Sequence, residues 1–403
     1  MMTRGERMLA LRRVRMAGSP PLLRGGFRPF FLLGPAWAII ALALWLMAAS
    51  GRLILPSAFE PLIWHRHEMM FGFVGAVVAG FLLTAIPNWT GRLPIAGAPL
   101  AALVALWAVG RLAVLFSGSI GWVPAALLDA GFYVVLAAVA AREVLASKNR
   151  NLLMVGIVLL LGVANAADHL GAAGLLQDAD IGMRAAIALV VMLISLVGGR
   201  VVPSFTRNWM TKHGFERELP TQSGRFDVAV LASSAAALLA WTVAPDSAPS
   251  GWLLVVAGTA QALRLSRWSG LKTARDPLVL ILHVGYLWLP AGLLLLGASI
   301  VGTSVPRSAA IHALTAGAMS TMILAVMTRA TLGHTGRELV ANPLTTLLYL
   351  LVTLGAALRV AVALGLFDYP VGLDVAGVAW ASAFLLFLIT YGPLLLGPRL
   401  GEE

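Results

Sequence analysis

The run Trp64-His65-Arg66-His67-Glu68-Met69-Met70 holds the densest set of ionisable and metal-ligating side chains in the sequence. Imidazole suits transition metals, thioether sulfur is a softer ligand, and carboxylate favours harder ions. Residues two apart on a helix lie about 200° apart, so His65 and His67 face different partners rather than chelate one ion. Met69 shares a face with His65, Met70 follows His67 at i+3, and Gly72, Gly75 and Gly80 permit close approach of a helix or a flat macrocycle. His312, Thr315, Met319, Met322 and Val326 form a second stripe at helical spacing. A pair of histidines across two helices can hold haem iron. Arg66, Arg111 and Arg359 suit haem propionates, because guanidinium pairs a carboxylate bidentately.

The sequence contains no cysteine. Thiolate copper sites, Fe–S clusters, thiolate-ligated haem and covalent CxxCH haem are thereby excluded. Any metal rests on histidine, methionine or carboxylate, and any haem is noncovalent, with bis-His or His/Met ligation. The candidate metal ligands are His65, His67, His169, His283, His312 and His334, while His213 reads as a solvated loop residue. Each has a plainer reading too: His283 equally suits a hydrogen bond to a neighbouring helix, and the methionines suit packing. Asp129 and Asp168 either relay protons or pair with Arg111.

The elements that carry these residues follow from composition. The chain has 403 residues, 59% hydrophobic and 12% charged, with a mean hydropathy of +0.88. Soluble domains carry about 25% charged residues, so the deficit marks an all-α polytopic membrane protein. Continuous apolar runs, rather than alternation, exclude a β-barrel. Twelve spans are expected, near 30–48, 62–86, 99–117, 122–141, 151–175, 184–202, 226–244, 251–265, 277–299, 308–328, 343–365 and 374–396. A basic arm over 1–28, one transmembrane domain over 29–397 and a tail over 398–403 complete the expected organisation. The first span reads as uncleaved, since no small-x-small site follows it.

All but six of the 29 basic residues fall on one side of these spans. The exceptions are Arg52, Arg66, Arg111, Arg184, Arg307 and Arg359. The positive-inside rule then places both termini in the cytoplasm. The net charge of +11 is thus a topology signal, and nucleic acid drops out as a partner. His65, His67, His169 and His312 share an outer layer, with His283 and His334 near the cytoplasmic face. On that face Asn88, Trp89, Arg92, Arg200, Arg207, Asn208, Arg329, His334 and Arg337 either line an anion or quinone-head site or simply anchor the chain.

The cytoplasmic ends of spans 2, 6 and 10 read alike: Pro87-Asn88-Trp89-Thr90, Pro203-Ser204-Phe205-Thr206 and Met327-Thr328-Arg329. Each interval covers four spans, which suggests three four-helix pseudo-repeats, an arrangement analogous to haem-copper oxidase cores.

The sequence resembles the NnrS family of bacterial membrane proteins. The resemblance runs from about residue 24 and rests on Gly26-Phe27-Arg28-Pro29-Phe30-Phe31, Trp64-His65-Arg66-His67-Glu68-Met69 and Thr84-Ala85-Ile86-Pro87-Asn88-Trp89-Thr90-Gly91-Arg92. Gly199-Arg200-Val201-Val202-Pro203, Thr206-Arg207-Asn208-Trp209, His283-Val284-Gly285-Tyr286-Leu287-Trp288 and Met327-Thr328-Arg329-Ala330-Thr331-Leu332-Gly333-His334-Thr335-Gly336-Arg337 extend it. Resemblance to that family implies twelve spans, bound haem and copper, and protection against nitric oxide and nitrosative stress, often beside denitrification. His65, His67, His283, His312 and His334 fall in recognisable motifs; His169 and His213 do not.

The leading functional expectation is therefore a haem- and copper-containing protein that binds or transforms NO or a nitrosylated species, with quinol as one possible electron donor. Noncovalent haem, expected to be of b type in a chain without cysteine, is assigned to His312 with His65 or His67. Copper takes the remaining histidine of span 2, with His169 as a further candidate. The alternatives are a secondary transporter, and a sensor or cofactor-handling protein without turnover.

Overall fold

The computed structural model describes residues 6, 7, 10, 11, 14, 18–149, 151–302 and 304–401. Part of the basic arm, together with Arg150, Thr303 and the last two residues of the tail, lies outside the described residues. The protein is all-helical, and twelve helices organise it: α1 Phe27–Ala49, α2 Pro61–Thr90, α3 Ala98–Leu115, α4 Trp122–Ala146, α5 Leu152–Ala172, α6 Ile181–Lys212, α7 Arg225–Val243, α8 Ala248–Ser266, α9 Pro277–Ile300, α10 Arg307–His334, α11 Pro343–Ala363 and α12 Tyr369–Leu396. Eleven are long and apolar enough to cross a membrane. The helix outside that set is α8, whose nineteen residues include the polar Gln261 and Arg264. It forms where the eighth span is expected, and both polar side chains are buried within the protein.

Local signals set the helix ends. Proline opens α2, α9 and α11 (Pro61, Pro277, Pro343), where its missing N–H costs nothing. Asp276 and Asn342 cap the last two of these through their side chains, accepting from the backbone N–H of Leu278 and Thr345. Gly91, at φ +65°, terminates α2 in the left-handed region that glycine adopts at no steric cost.

Backbone contacts divide the chain into two compact units. The first comprises residues up to 186 with 334–337 and 391–403; the second comprises 187–333 with 338–390. The first unit is closed by Arg28, which is buried. Its guanidinium donates to the carbonyls of Leu394, Leu395 and Gly397 at 3.3, 2.8 and 2.6 Å. These lie at the C-terminal end of α12, where carbonyls lack helical partners and the helix dipole favours a cation. Arg28→Ala is expected to lower stability by about 2–4 kcal/mol, because it strands these carbonyls without a donor. A thermal unfolding midpoint in detergent micelles checks this; an unchanged midpoint contradicts it.

Among the described residues, helices α2, α6 and α10 each contain a π-helical segment: Glu68–Val74, Ile194–Gly198 and Ala313–Met319. These are the three helices singled out by the repeated cytoplasmic-end motif. An i→i+5 turn exposes carbonyls that lipid cannot satisfy, so protein groups must. Tyr133 Oη donates to Phe71 O at 2.7 Å and Trp107 Nε1 to Gly72 O at 3.0 Å. In the second unit Arg264 Nη1 donates to Ser195 O at 2.9 Å and Ser320 Oγ to Thr315 O at 3.2 Å. The π turns also correct the sequence-derived stripes. His312 to Val326, and Met69 behind His65, presuppose a regular α register, and each stripe is interrupted by the wider turn.

Candidate metal centre

The centre lies in the first unit, on α2, α4 and α5. His67 ends the α-helical first stretch of α2, directly before the π segment. Asp129 projects from α4, and Asn165, Asp168 and His169 from α5. On α5 these three follow i, i+3, i+4 spacing, one polar stripe on an otherwise apolar helix. All five side chains are buried, at 0% exposure apart from 1% for His169.

His67 Nε2 lies 2.7 Å from Asp129 Oδ2, and His169 Nε2 lies 3.1 Å from the same oxygen. These three ligand atoms all lie within 4.8 Å of one another, a spacing that could hold a metal ion. His67 Nδ1 lies 2.8 Å from Asp168 Oδ2, and Asn165 Nδ2 donates to Asp129 Oδ2 at 2.7 Å. Phe59 packs against both imidazoles, each at 5.0 Å between ring centroids, and Phe71 lies 4.9 Å from His67. Aromatic walls of this kind exclude water from the donor atoms.

The hydrogen-bond inventory of His67 is over-subscribed. A neutral imidazole has one N–H and one lone pair. If it donates to Asp168, its Nε2 presents a lone pair to the carboxylate of Asp129. Either a metal ion at that edge or a second proton on the ring removes the conflict. His169 Nδ1 and Asn165 Oδ1 are buried without a hydrogen-bond partner. Two imidazoles and one carboxylate are the donor set of many divalent-metal sites, and Asp168 supplies the outer carboxylate that typically fixes a ligating imidazole.

A buried ion-pair network backs the centre. Arg111, from α3, donates through Nη1 to Glu68 Oε2 at 2.8 Å and through Nη2 to Asp129 Oδ1. Trp37 Nε1 also donates to Glu68 Oε2, at 2.6 Å. Gly72 leaves the space for this: a Cβ there would lie 2.6 Å from Glu68 Oε2 and 2.9 Å from Trp37 Nε1. At the rim, half-buried Arg66 bonds exposed Asp180 at 2.6 Å and reaches Asp168 at 3.8 Å. In the same connection between α5 and α6, Arg184 donates to Asp178 and holds its carboxyl below the usual range. Tyr133→Phe would orphan the π-turn carbonyl of Phe71 beside this network. A stability loss of about 1–2 kcal/mol is expected in the same micellar unfolding assay, and an unchanged midpoint would show that the bond is dispensable.

The other candidates fall elsewhere. His65 turns away from His67 and stacks on Trp45 of α1, with centroids 4.1 Å apart. His283 Nε2 lies 2.8 Å from Thr206 Oγ1, which donates to Val202 O; this is a contact between α9 and α6. His334 packs its ring 5.3 Å from Phe27, and exposed His213 stacks on Trp209. His312 donates from Nδ1 to Ser308 O at 2.7 Å and sits within electrostatic reach of Arg359. Arg359 Nη1 is buried without a hydrogen-bond partner. Of the three arginines expected at propionates, Arg111 is instead committed to Glu68 and Asp129, and Arg66 to Asp180 and Asp168. The physical reason is local: each sits among buried or rim carboxylates that outcompete any distant anion. The sequence offered a pairing of Asp129 with Arg111, which the structure contains, but did not bring Asp129 together with His67 and His169, and it missed Asn165 and the Glu68–Arg111 pair. The i, i+3, i+4 stripe of Asn165, Asp168 and His169 was the available signal.

Fold and centre together define a multi-pass helical membrane protein with a buried His/Asp group competent to hold a metal ion. The family model described as NnrS protein matches residues 21–399. The chain belongs to the NnrS family. No curated protein matches it.

Proposed function

We propose that this protein binds copper and haem in the bacterial inner membrane and serves the nitric oxide response, binding or transforming NO or a nitrosylated species. The observation that carries the metal half is the convergence of His67 Nε2, His169 Nε2 and Asp129 Oδ2 in a dry pocket. That donor set fits a transition-metal ion such as copper, with both imidazoles and the carboxylate offering nitrogen and oxygen ligands. For haem, His312 is the fitting ligand: its Nδ1–H is committed to Ser308 O, which leaves Nε2 for iron. The unpartnered Nη1 of Arg359 suits a propionate. Haem iron supplies NO binding when present. The chain's own residues then orient His312, exclude water around His67 and His169, and hold Asp129 in place through Arg111. Positive-inside charge supports cytoplasmic termini, and a quinol is the class of electron donor that fits a membrane setting.

The test is metal and haem analysis of purified protein with separate alanine variants. His312→Ala is expected to lose the Soret band and keep the second metal; His169→Ala is expected to do the reverse. NO consumption is then followed with a quinol analogue as donor. Wild-type haem content in His312→Ala, or unchanged metal in His169→Ala, overturns the respective assignment.

A further inference from the structure

We infer that the His67/Asp129/His169 centre selects a divalent cation of borderline softness, such as copper(II), zinc or iron(II), over copper(I), and that buried charge is the selecting device. The inference rests on the reading of this group as a metal centre and adds the charge class of its occupant. Three carboxylates surround the centre without exposure: Glu68, Asp129 and Asp168, each at 0%. One cation is buried with them, Arg111, at 2%. Arg66 contributes little, because it is part-exposed and pairs more closely with Asp180, at 2.6 Å, than with Asp168, at 3.8 Å. Among the described residues this buried set therefore places three carboxyl groups against one guanidinium, an excess of two acidic groups by formal count.

Uncompensated charge in a low-dielectric interior is strongly unfavourable. A divalent ion cancels the excess, whereas a monovalent ion leaves one carboxylate uncompensated. The donors point the same way. The group offers two imidazole nitrogens and one carboxylate oxygen, with no sulfur among them, and cuprous copper favours soft sulfur ligands. Arg111 occupies Asp129 Oδ1, so the carboxylate presents Oδ2 alone to the ion. Asp168, facing His67 Nδ1 at 2.8 Å, makes the imidazole a stronger donor and supplies one of the excess acidic groups. Asp168 thus acts as a positioning residue through His67.

The experiment uses full-length, metal-stripped protein in lipid nanodiscs. Co2+ is titrated by its ligand-field absorption, Zn2+ by competition with the bound Co2+, and Cu+ against a chromophoric cuprous chelator under anaerobic conditions. One Co2+ per chain is expected, displaced by Zn2+, with Cu+ bound more weakly than Zn2+. Asp168→Asn is expected to weaken Zn2+ by about ten- to a hundredfold and Cu+ by less, which narrows the ratio. Cu+ binding as tightly as Zn2+ in the wild type overturns the inference, whether or not the variant folds. An unchanged Zn2+/Cu+ ratio in folded Asp168→Asn overturns it as well. Failure to bind any of the three ions sinks both this inference and the metal-centre reading. Binding that is intact but favours Cu+ sinks this inference alone.

Discussion

Arg111→Met is expected to destabilise the protein by about 3–5 kcal/mol, the largest single effect on stability anticipated here. The size follows from what the substitution leaves behind rather than from the bonds it deletes. Arg111 is the sole buried cation between Glu68 and Asp129. Without it, two carboxyl groups in a water-free interior lose their guanidinium partner, and Trp37 Nε1 remains as a donor to Glu68 Oε2, at 2.6 Å. Removing the carboxylate as well should recover much of the loss, since replacing a whole buried pair by groups of similar shape is often near neutral. The Arg111→Met, Glu68→Gln double variant is therefore expected to be more stable than Arg111→Met alone. Unfolding midpoints of the four members of the cycle give the coupling directly. Additive effects would show that the ion pair does not hold this part of the structure.

Asp129→Asn carries the largest expected effect on metal binding. The amide keeps the size of the side chain and an acceptor for Arg111, but offers no anionic oxygen to an ion between His67 and His169. Loss of a single outer carboxylate typically costs ten- to a hundredfold in affinity, and loss of a direct ligand is expected to cost at least on the order of a hundredfold. The consequence is visible in stability. A ligand that binds only the folded state at about 100 times its dissociation constant adds about 2.7 kcal/mol. The wild-type midpoint should therefore rise on adding Zn2+, and the Asp129→Asn midpoint should not. An equal rise in both proteins would remove Asp129 from the ligand set.

Much of this architecture can be read from residue order alone. Apolar runs placed all twelve helices, and the shared motif at the ends of α2, α6 and α10 marked the helices that carry π turns. The turns themselves escaped, because the pattern that produces them is not a periodicity. Tyr133, Trp107 and Arg264 donate to the backbone carbonyl oxygens that the π turns free, and those partners lie 62, 35 and 69 residues away. The centre was half visible for a similar reason. The spacing rule that separated His65 from His67 depends only on helix geometry. Pairing His67 with Asp129 and His169 requires knowing that α2, α4 and α5 meet, contacts spanning 62 and 40 residues. Arg111 shows the converse failure. Its type suits a propionate as well as a carboxylate side chain, and only packing reveals that Glu68 and Asp129 occupy it.

X-ray absorption at the edge of the metal held by the His67/Asp129/His169 centre tests the central claim most directly. The account predicts a shell of nitrogen and oxygen at about 2.0–2.2 Å with the multiple scattering of two imidazoles, and no sulfur. In His169→Ala the imidazole contribution should fall to that of one ring. A sulfur scatterer at about 2.3 Å, or an imidazole signal that His169→Ala leaves intact, would contradict it.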